Sequence, residues 1–488
     1  MKRFNKKIIP VISLSVFLNL FVFTFFIFPF LVDKLNLNSL LIILLVSLLV
    51  LIISAIYGYL YYRFSEYEFN DKGVHVRRGV IFRKKSFLDY NRIHAINKKQ
   101  NLLENILGIG RLMIDSGSTN TASTAEICIR ESNSEIERLI NQLENRDINE
   151  KEVSEISEVK EEKQNLFDYS PKLKIFNALV DAFRIFIILI TFDIGATILV
   201  SIFQQYMEDT IPFHFFAFFC FLIFLACIAI FVVRIVNILF HYYNFRVYRN
   251  NDNIEIYYGL FTTFHHTFKL NKIKAVIIKQ SLFYRIFGYA SISLEVIGYD
   301  EDNAKSTTND KYLIPICKNR EVEGIIDNIL GNFKSVEKEE TAKSFFSFVS
   351  WKIVVSIICH LVIFYIGFVI MLGTNTLEYI NYLIVVVLAL FIVVLSLLFF
   401  DKILQYKYEG IGINDEFTTV YHGGLIHNKT IILNKYIIGI TDCTTPLRKK
   451  KDIYSYSIHI KTNDISNEIN VEMVNNKIKE RLLNIVKI

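Results

Sequence analysis

The sequence predicts a polytopic α-helical membrane protein that carries three cytoplasmic α+β domains, and three observations lead to this fold class. First, 52% of the 488 residues are hydrophobic and the mean hydropathy is +0.35, which is too apolar for an ordinary soluble protein. Second, 21% of the residues are charged, so a large part of the chain cannot lie in a bilayer. Third, three pairs of apolar stretches alternate with three polar segments that resemble one another.

Six apolar stretches are long enough to cross a bilayer, since a helical span needs about 20 mainly apolar residues. They are residues 8–32, 39–62, 179–205, 213–240, 352–373 and 379–400. Only a few residues connect the two stretches of each pair, so each pair is predicted to be a hairpin that returns the chain to its starting side. The first stretch continues to Val32 without a small-residue cleavage site, which predicts a retained helix and not a secretory signal.

The basic residues predict on which side of the membrane the polar segments lie. The three connectors hold one basic residue, Lys34, whereas lysines and arginines flank the opposite ends of the stretches, for example Lys2, Arg63, Lys172 and Lys402. Cytoplasmic loops of membrane proteins carry an excess of such residues. Both termini and all three polar segments are therefore predicted to be cytoplasmic.

The polar segments after the first and second hairpins agree without gaps at an offset of 180 residues, which indicates an internal repeat. We call these segments copy one and copy two. The matched residues are Gly79 and Gly259, Ile93 and Ile273, Ala95 and Ala275, Gln100 and Gln280, and Gly108 and Gly288. A recurring glycine predicts a turn with a positive φ or a close approach of the backbone.

A third segment, copy three, aligns with copy two at an offset of about 164 residues. Gly423 then matches Gly259, and Ile437 matches Ile273. The agreement is predicted to end there, because LLENILGIG of copy one and SLFYRIFGY of copy two have no visible counterpart in TTPLRKKKDIY. Copy three is therefore interpreted as divergent.

Each copy has the pattern of short alternating strands followed by an amphipathic helix. The helices are predicted from Ser134, Asn319 and Asn475. The stretch 146–163 is rich in charge and poor in aromatic residues, which is typical of a flexible linker. The predicted parts are transmembrane hairpin 1 at 8–62, domain 1 at 63–146, a charged linker at 147–174, hairpin 2 at 175–241, domain 2 at 242–335, hairpin 3 at 350–402 and domain 3 at 403–488.

The patterns G…NRIHAINKKQNLLENILGIGRLMI in copy one and G…NKIKAVIIKQSLFYRIFGYASISL in copy two resemble the bacterial membrane-flanked, pleckstrin-homology-like (PH-like) domain family of the YdbS/YdbT type. The resemblance covers nearly the whole chain, and three copies look like the longer, YdbT-type members. The most telling residues are Ile93, Gln100, Leu107, Gly108, Ile273, Gln280, Phe287 and Gly288, with DYSPK at 168–172. Copy three departs from the pattern.

This resemblance implies a PH-like antiparallel β-sandwich with a C-terminal helix in each copy. It also implies assembly with like domains, with a shorter, single-copy relative as the partner, and a homo-oligomer is a further expected assembly. Members of the family are linked to protection against membrane-active peptides, including leaderless bacteriocins.

No catalytic, metal or cofactor site is predicted. The sequence lacks the HExxH, GxSxG, Walker and dinucleotide-binding patterns, and its ten histidines do not cluster with carboxylates. Its six cysteines form no CxxC pair. The net charge of +6 is modest for this length and the basic residues form no stripe, so nucleic acid is not expected as a partner.

Five cations of copy one are candidates for contact with anionic lipid, since each charge near an anionic membrane surface gains about 1 kcal/mol. They are Arg77, Arg78, Arg83, Lys84 and Lys85. The equivalent stretches YYGLFTTFHH and VYHGGLIHNK lack this run of cations, so no phosphate pocket shared by the three copies is predicted. The alternative interpretation is a solvated strand surface.

Asp193 lies near the middle of the third apolar stretch. A carboxylate at this depth is unfavourable unless it is neutral, paired or in contact with water, so it is a candidate functional residue. It is a candidate for proton transfer or for pairing with a neighbouring helix, and a packing contact is the alternative. No other stretch holds a matching acid near its middle.

Two functions of different classes follow from these features. The first is a non-enzymatic membrane protein whose PH-like domains assemble with each other and with a single-copy relative, and which protects the cell against membrane-active peptides or bacteriocins. The alternative is a component of a proton-coupled transporter or exporter that uses Asp193. An integral-membrane enzyme ranks last, because neither the histidines nor the acids cluster.

Overall fold

The structure is a computed structural model. It describes residues 1–35, 39–93, 95–115, 127–149, 164–206, 213–250, 253–296, 312–331, 333–339, 377–460 and 468–486, with a few residues between 355 and 365. Side chains are described in these ranges apart from stretches that include 23–44, 192–217 and 377–392. The chain divides into two compact units, of which unit 1 comprises Met1–Tyr169, Phe240–Lys272 and Val296–Asp310 and unit 2 comprises Ser170–Leu239, Ile273–Glu295 and Lys311–Ile488.

Eleven helices are formed by the described residues. They are α1 (Ile8–Leu35), α2 (Ser39–Phe64), α3 (Leu102–Leu107), α4 (Asn133–Asn149), α5 (Pro171–Tyr206), α6 (Phe213–His241), α7 (Leu282–Phe287), α8 (Val322–Leu330), α9 (Leu377–Tyr408), α10 (Pro446–Lys449) and α11 (Lys477–Val486). Five of them, α1, α2, α5, α6 and α9, lie on predicted apolar stretches. The predicted stretch 352–373 lies largely outside the described residues.

Two helical segments are long and apolar enough to cross a membrane among the residues with described side chains. They are Leu45–Phe64 in α2 and Phe221–His241 in α6. Many of their large apolar side chains are exposed, including Leu49 and Phe224, and exposed apolar patches of this kind mark contact with a membrane or a partner. These two helices indicate membrane association, and the six-span topology stays a prediction.

The described strands form four antiparallel sheets. The strands are β1 (Lys2–Arg3), β2 (Glu66–Phe69), β3 (Gly73–Arg78), β4 (Lys84–Asp89), β5 (Ala95–Gln100), β6 (Ile109–Asp115), β7 (Ile127–Ser132), β8 (Gln164–Asp168), β9 (Arg246–Asn250), β10 (Asn253–Tyr258), β11 (Thr263–Lys269), β12 (Ile273–Gln280), β13 (Tyr289–Val296), β14 (Tyr312–Lys318), β15 (Gly410–Ile413), β16 (Phe417–His422), β17 (His427–Leu433), β18 (Ile437–Cys443), β19 (Ile453–Ile460) and β20 (Glu468–Asn475). Unit 1 holds the sheets β1-β2-β3-β4 and β7-β6-β5-β11-β10-β9-β8, and unit 2 holds the sheets β14-β13-β12-β17-β16-β15 and β18-β19-β20.

Copy one has the predicted architecture of antiparallel sheets and a C-terminal helix around one core. Val74 and Leu88 of the four-stranded sheet pack in the same buried cluster as Leu112 and Ile129 of β6 and β7. Ile136 and its neighbours at helical spacing on α4 close this cluster. Copy three has an equivalent core between β15–β17, β18–β20 and α11.

A short segment before each predicted hairpin pairs with the first strand after it. In unit 1, β1 pairs with β2, and β8 pairs with β9. In unit 2, the Glu339 N–H donates to the Ile411 carbonyl over 2.9 Å. The two ends of each predicted hairpin are therefore connected to neighbouring backbone segments of the same domain.

Three elements occupy part of the predicted charged linker 147–174. Helix α4 continues to Asn149. The stretch QNLFD forms β8, because its backbone groups find partners on the edge of β9. Helix α5 begins at Pro171, where proline is favoured because its missing N–H would have no helical partner.

Copy three keeps a short helix at the place of the LLENILGIG and SLFYRIFGY stretches, although these have no visible counterpart in its sequence. Helix α10 occupies the place of α3 and α7 at the same offset of 164 residues. The Thr445 hydroxyl accepts from the Arg448 N–H over 3.4 Å, as the Ser281 hydroxyl accepts from the Tyr284 N–H. The backbone hydrogen bonds persist although the apolar residues do not, so the apolar pattern did not indicate the helix.

The glycine that ends this short helix is also replaced in copy three. Gly108 and Gly288 have φ values of +68° and +74°. Asp452 has a φ of +53° at the matching position. Aspartate is one of the few residues that tolerate the left-handed region, so the turn survives without glycine.

We expect Gly58→Ala to destabilise the first hairpin. A Cβ at Gly58 would lie 2.2 Å from the Ser13 Oγ and 2.9 Å from the Ile9 carbonyl oxygen. Overpacking costs about 1–3 kcal/mol, which exceeds the roughly 0.5–1 kcal/mol that alanine adds in a helix. Thermal unfolding of the full chain in detergent should show a lower Tm.

Gly324→Ala is the matched control, because nothing lies within 4 Å of a Cβ at this position in α8. It should raise the Tm through helix propensity alone. An equal rise for both variants would show that α1 and α2 do not pack at Gly58.

Candidate functional site: the junctions between the copies

Copy one and copy two are joined by an antiparallel pair of strands within unit 1. Strand β5 of copy one pairs with β11 of copy two, with Gln100 opposite Thr263, Lys98 opposite His265 and Ala95 opposite Phe268. We call this pairing junction 1. It makes one seven-stranded sheet from strands of both copies.

Copy two and copy three are joined in the same way within unit 2, at junction 2. Strand β12 pairs with β17, and the opposite residues are Gln280 and His427, Ile278 and Lys429, and Ala275 and Ile432. These pairs are the counterparts of Gln100 and Thr263, Lys98 and His265, and Ala95 and Phe268 at the repeat offsets of 180 and 164. Two junctions of different sequence therefore share one register, which makes the pairing a property of the repeat.

The recurring glutamine ends the joining strand and fixes it to its own copy. The Gln100 amide donates to the Ile109 carbonyl over 2.8 Å and to the Asn133 Oδ1 over 2.5 Å. The Gln280 amide makes the equivalent hydrogen bonds to Tyr289 and Asn319. Thr444 of copy three substitutes for glutamine by donating to the Ile453 carbonyl over 2.8 Å.

A buried polar contact crosses junction 1. The His266 ring of copy two is 2% exposed, and its Nδ1 lies 2.9 Å from the Asn97 Oδ1 of copy one. Its Nε2 lies 3.1 Å from the Tyr258 hydroxyl. The neutral ring satisfies both partners by donating from Nδ1 and accepting at Nε2.

Burial is the main cause that lowers the pKa of His266 to about 3, with a smaller contribution from the nearby His265 and Lys99. At junction 2, burial lowers the pKa of His427 to about 4, with Arg285 contributing. Each junction therefore contains a histidine, on β11 or on β17, that burial keeps neutral.

A cleft lies beside each junction, between the C-terminal helix of one copy and the strands of the next. The cleft at junction 1 has a volume of about 360 Å³ and is lined by Lys98, Gln100, Glu137, Ile140, Asn141, Glu255, Tyr257, Thr263, Phe264 and His265. The cleft at junction 2, of about 250 Å³, is lined by the counterparts Ile278, Glu323, Ile326, Asp327 and Lys429 and by neighbouring residues.

Polar side chains occupy the sides of these clefts. Lys98 forms an ion pair with Glu137 at 3.2 Å, and the His265 Nε2 lies 3.4 Å from the Glu255 carboxylate. At junction 2, Glu323 of copy two lies 3.4 Å from Lys429 of copy three. The two clefts lie at equivalent positions of the repeat, but different residue types line them. Among the described residues, no group of three or more His, Cys, Asp or Glu side chains could hold a metal ion.

The five candidate lipid-binding cations of copy one lie on and between β3 and β4. Arg77 is opposite Lys85 and Arg78 is opposite Lys84, so like charges face each other across the strands. Such pairs destabilise a hairpin unless anions or solvent screen them. The Arg83 guanidinium lies 4.1 Å from the ring centroid of Phe64, the last residue of α2.

The loop that carries these cations has an exposed apolar tip that the sequence interpretation missed. Phe82 is 91% exposed, and Phe261 and Ile426 are exposed in the matching loops. In copies two and three this loop is held against the end of the preceding helix. The Leu260 N–H donates to the Phe240 carbonyl over 3.0 Å, and the Leu425 N–H donates to the Asp401 Oδ1 over 2.8 Å. The apolar residues after each recurring glycine were the available signal.

The recurring glycines permit this approach of loop to helix. Gly79 and Gly259 have φ values of +111° and +108°, which residues other than glycine rarely adopt. Gly423 lies so close to α9 that a Cβ would be 2.7 Å from the Tyr408 Cβ. Their recurrence therefore has a structural cause.

Asp193 lies in α5, but its side chain is outside the described residues. The second hairpin contains another acid that is paired. The Asp181 Oδ2 of α5 accepts from the Arg234 Nε of α6 over 2.9 Å and lies 2.8 Å from its Nη2. This paired geometry ties the two helices together.

The comparisons with known proteins give one match. The family model described as bacterial PH domain matches residues 17–158 and 186–332, which together are more than half of the chain. Copy three lies outside the matched residues. No curated protein and no solved structure matches the chain.

We expect Arg78→Glu to distinguish a lipid-facing hairpin from a solvated one. In an uncharged detergent it should stabilise the fold by about 0.2–1 kcal/mol, because it places a carboxylate opposite Lys84. In nanodiscs with anionic lipid this gain should disappear, because the hairpin loses a cation next to the surface. Thermal unfolding in both media measures the difference.

Lys72→Glu, at the far end of the same hairpin, is the control and should respond equally in both media. If Arg78→Glu also stabilised the protein equally in both, the cations would be solvated strand residues.

We expect acid to weaken the junctions. The unfolded histidine binds a proton near pH 6.5, whereas buried His266 and His427 do not until about pH 3–4, so stability is present above pH 6.5 and falls as the pH drops through this window. The slope is up to about 1.4 kcal/mol per pH unit for each histidine. Tm values between pH 7.5 and pH 4.5 measure it.

His266→Gln should flatten this slope, because glutamine keeps a donor and an acceptor without titrating. The Tm difference at pH 7.5, where both side chains are neutral, gives the cost of the substitution itself. An unchanged slope would mean that His266 is not buried in the folded protein.

Proposed function

Because this chain belongs to the bacterial PH domain family, we propose that it is a non-enzymatic membrane scaffold whose PH-like domains join edge to edge along the inner face of the cell membrane. The observation that carries the proposal is the shared register of junctions 1 and 2. A catalytic chain needs one constellation of reactive groups, whereas here the repeated feature is a means of joining domains. We count copy three as the third domain, because its strands follow the same order.

The helical hairpins anchor this row of domains. In this proposal each hairpin crosses the membrane twice, and all soluble parts and both termini are cytoplasmic. The strand pairs that flank the hairpins support it, because they bring the two ends of each hairpin to one place. The exposed apolar loop tips and the cations beside Phe82 would lie at the headgroup level.

The physiological role that we propose is protection against membrane-active peptides or bacteriocins, together with a shorter, single-copy relative. This role rests on the resemblance to YdbT-type proteins, which is carried by residues such as Gln100, Gly108 and Gln280. Structural support comes from the joined domains, since a row that binds its own copies by strand edges can also accept a related domain.

We expect deletion of the gene to sensitise cells to a panel of membrane-active peptides, and wild-type and Asp193→Asn proteins to restore resistance equally. A scaffold does not need an ionisable group inside the membrane, so the substitution should leave minimal inhibitory concentrations unchanged. Immunoblots must show equal amounts of both proteins in the membrane.

Two outcomes would contradict this role. Failure of Asp193→Asn to restore resistance, with normal amounts of protein, would favour a proton-coupled transporter. No sensitisation by the deletion, with the single-copy relative present or absent, would remove peptide protection.

A further inference from the structure

Two strand positions of the repeat form the junctions, and copy one and copy three each have one of these positions without a neighbouring copy. Each junction pairs the first strand of the second sheet of one copy with the third strand of the next copy. The counterparts without such a partner are β4 of copy one and β18 of copy three, which are paired on one side only among the described strands. Three of six residues of β4 and four of seven of β18 are exposed, whereas no residue of β11, β12 or β17 is.

We propose that β18 of one chain pairs with β4 of a second chain, in the register of junctions 1 and 2. This inference rests on the proposed scaffold role and names its partner as a second copy of this chain. Unpaired strand edges present rows of free N–H and C=O groups, and a matching edge satisfies them. Because the two edges differ, the contact is head-to-tail and extends the row of domains.

The repeat offsets give the register of this contact. They place Asp442 opposite Lys85, Cys443 opposite Lys84 and Ile440 opposite Phe87, by extension of the pairs seen at both junctions. The antiparallel contact would therefore bring opposite charges together near one end. Asp442 already accepts from Lys479 of α11 over 2.8 Å, so Lys85 would join an existing ion pair.

Exposed apolar side chains lie on both open edges. Phe87 of β4 is 51% exposed, and Ile438 of β18 is 58% exposed. Leu483 of α11, 38% exposed, takes the place that Asn141 and Asp327 hold in the clefts of junctions 1 and 2. Leu483 therefore places an exposed apolar side chain at a position that is polar in both closed clefts, and a partner that covers it would bury this apolar surface.

Lysines at an edge also serve to keep it unpaired, so β4 requires a direct test. Lys84→Cys places a thiol opposite the native Cys443 of a second chain. Lys85→Cys is the matched control, because neighbouring strand residues point to opposite faces and its thiol cannot meet disulfide geometry with Cys443. Full chains reconstituted in vesicles would be oxidised mildly and examined on non-reducing gels.

Lys84→Cys should give at least about tenfold more disulfide-linked dimer than Lys85→Cys, because only the former allows the required Cβ distance. The dimer should vanish in Lys84→Cys with Cys443→Ser. Equal yields from both variants, no dimer, or a fast-migrating monomer with an internal disulfide would each overturn the proposal.

This experiment separates the inference from the proposed function. Loss of the dimer signal with peptide protection intact would remove the contact between chains and leave the scaffold role. A register-specific dimer in a strain whose deletion has no peptide phenotype would keep the contact and remove protection.

Discussion

The backbone N–H and C=O groups at a strand edge need hydrogen-bond partners, and this requirement determines how the copies of this chain join. A PH-like domain built from two small sheets leaves edges at β5 and β12, and the next copy covers both in one register. The apolar core follows the same arrangement, since Ala275 of copy two belongs to the buried cluster of copy three. Neighbouring copies therefore share a sheet at both junctions, and copies two and three also share a core, so separating copies two and three would expose both.

The same constraint connects the domains to the apolar helices. Strands β1 and β8, and the segment at Glu339, pair with the first strand that follows each predicted hairpin. Strand pairing thus fixes where each hairpin enters and leaves its domain. Apolar loop tips and cations lie near the helix ends. The pairing between copies and the connection to the apolar helices therefore use the same small sheets.

Hydropathy, helical periodicity and repeat offsets predicted the long apolar helices, the C-terminal helix of each copy and the recurring positions, because burial and turn geometry leave residue-type signals. Gln100 and Gln280 recur since each fixes the end of a joining strand. The pairing between copies was not predictable, because an alternating strand pattern does not specify its neighbour. Helix α10 was missed because backbone bonds and Asp452 preserve the turn without an apolar pattern. The sequence predicted that Asp193 lies within a long apolar helix, but it did not predict which residues surround its side chain.

Residue-resolved hydrogen exchange of the full chain in detergent tests the edge pairing most directly. In an isolated domain, β5 would be an edge strand and alternate amides of Ala95–Gln100 would exchange freely. If β11 covers this edge, all amides of β5 should exchange as slowly as those of the central strand β10, and β12 should behave in the same way. Rapid exchange at alternate residues of β5 and β12 would show that the copies are not joined by their strands.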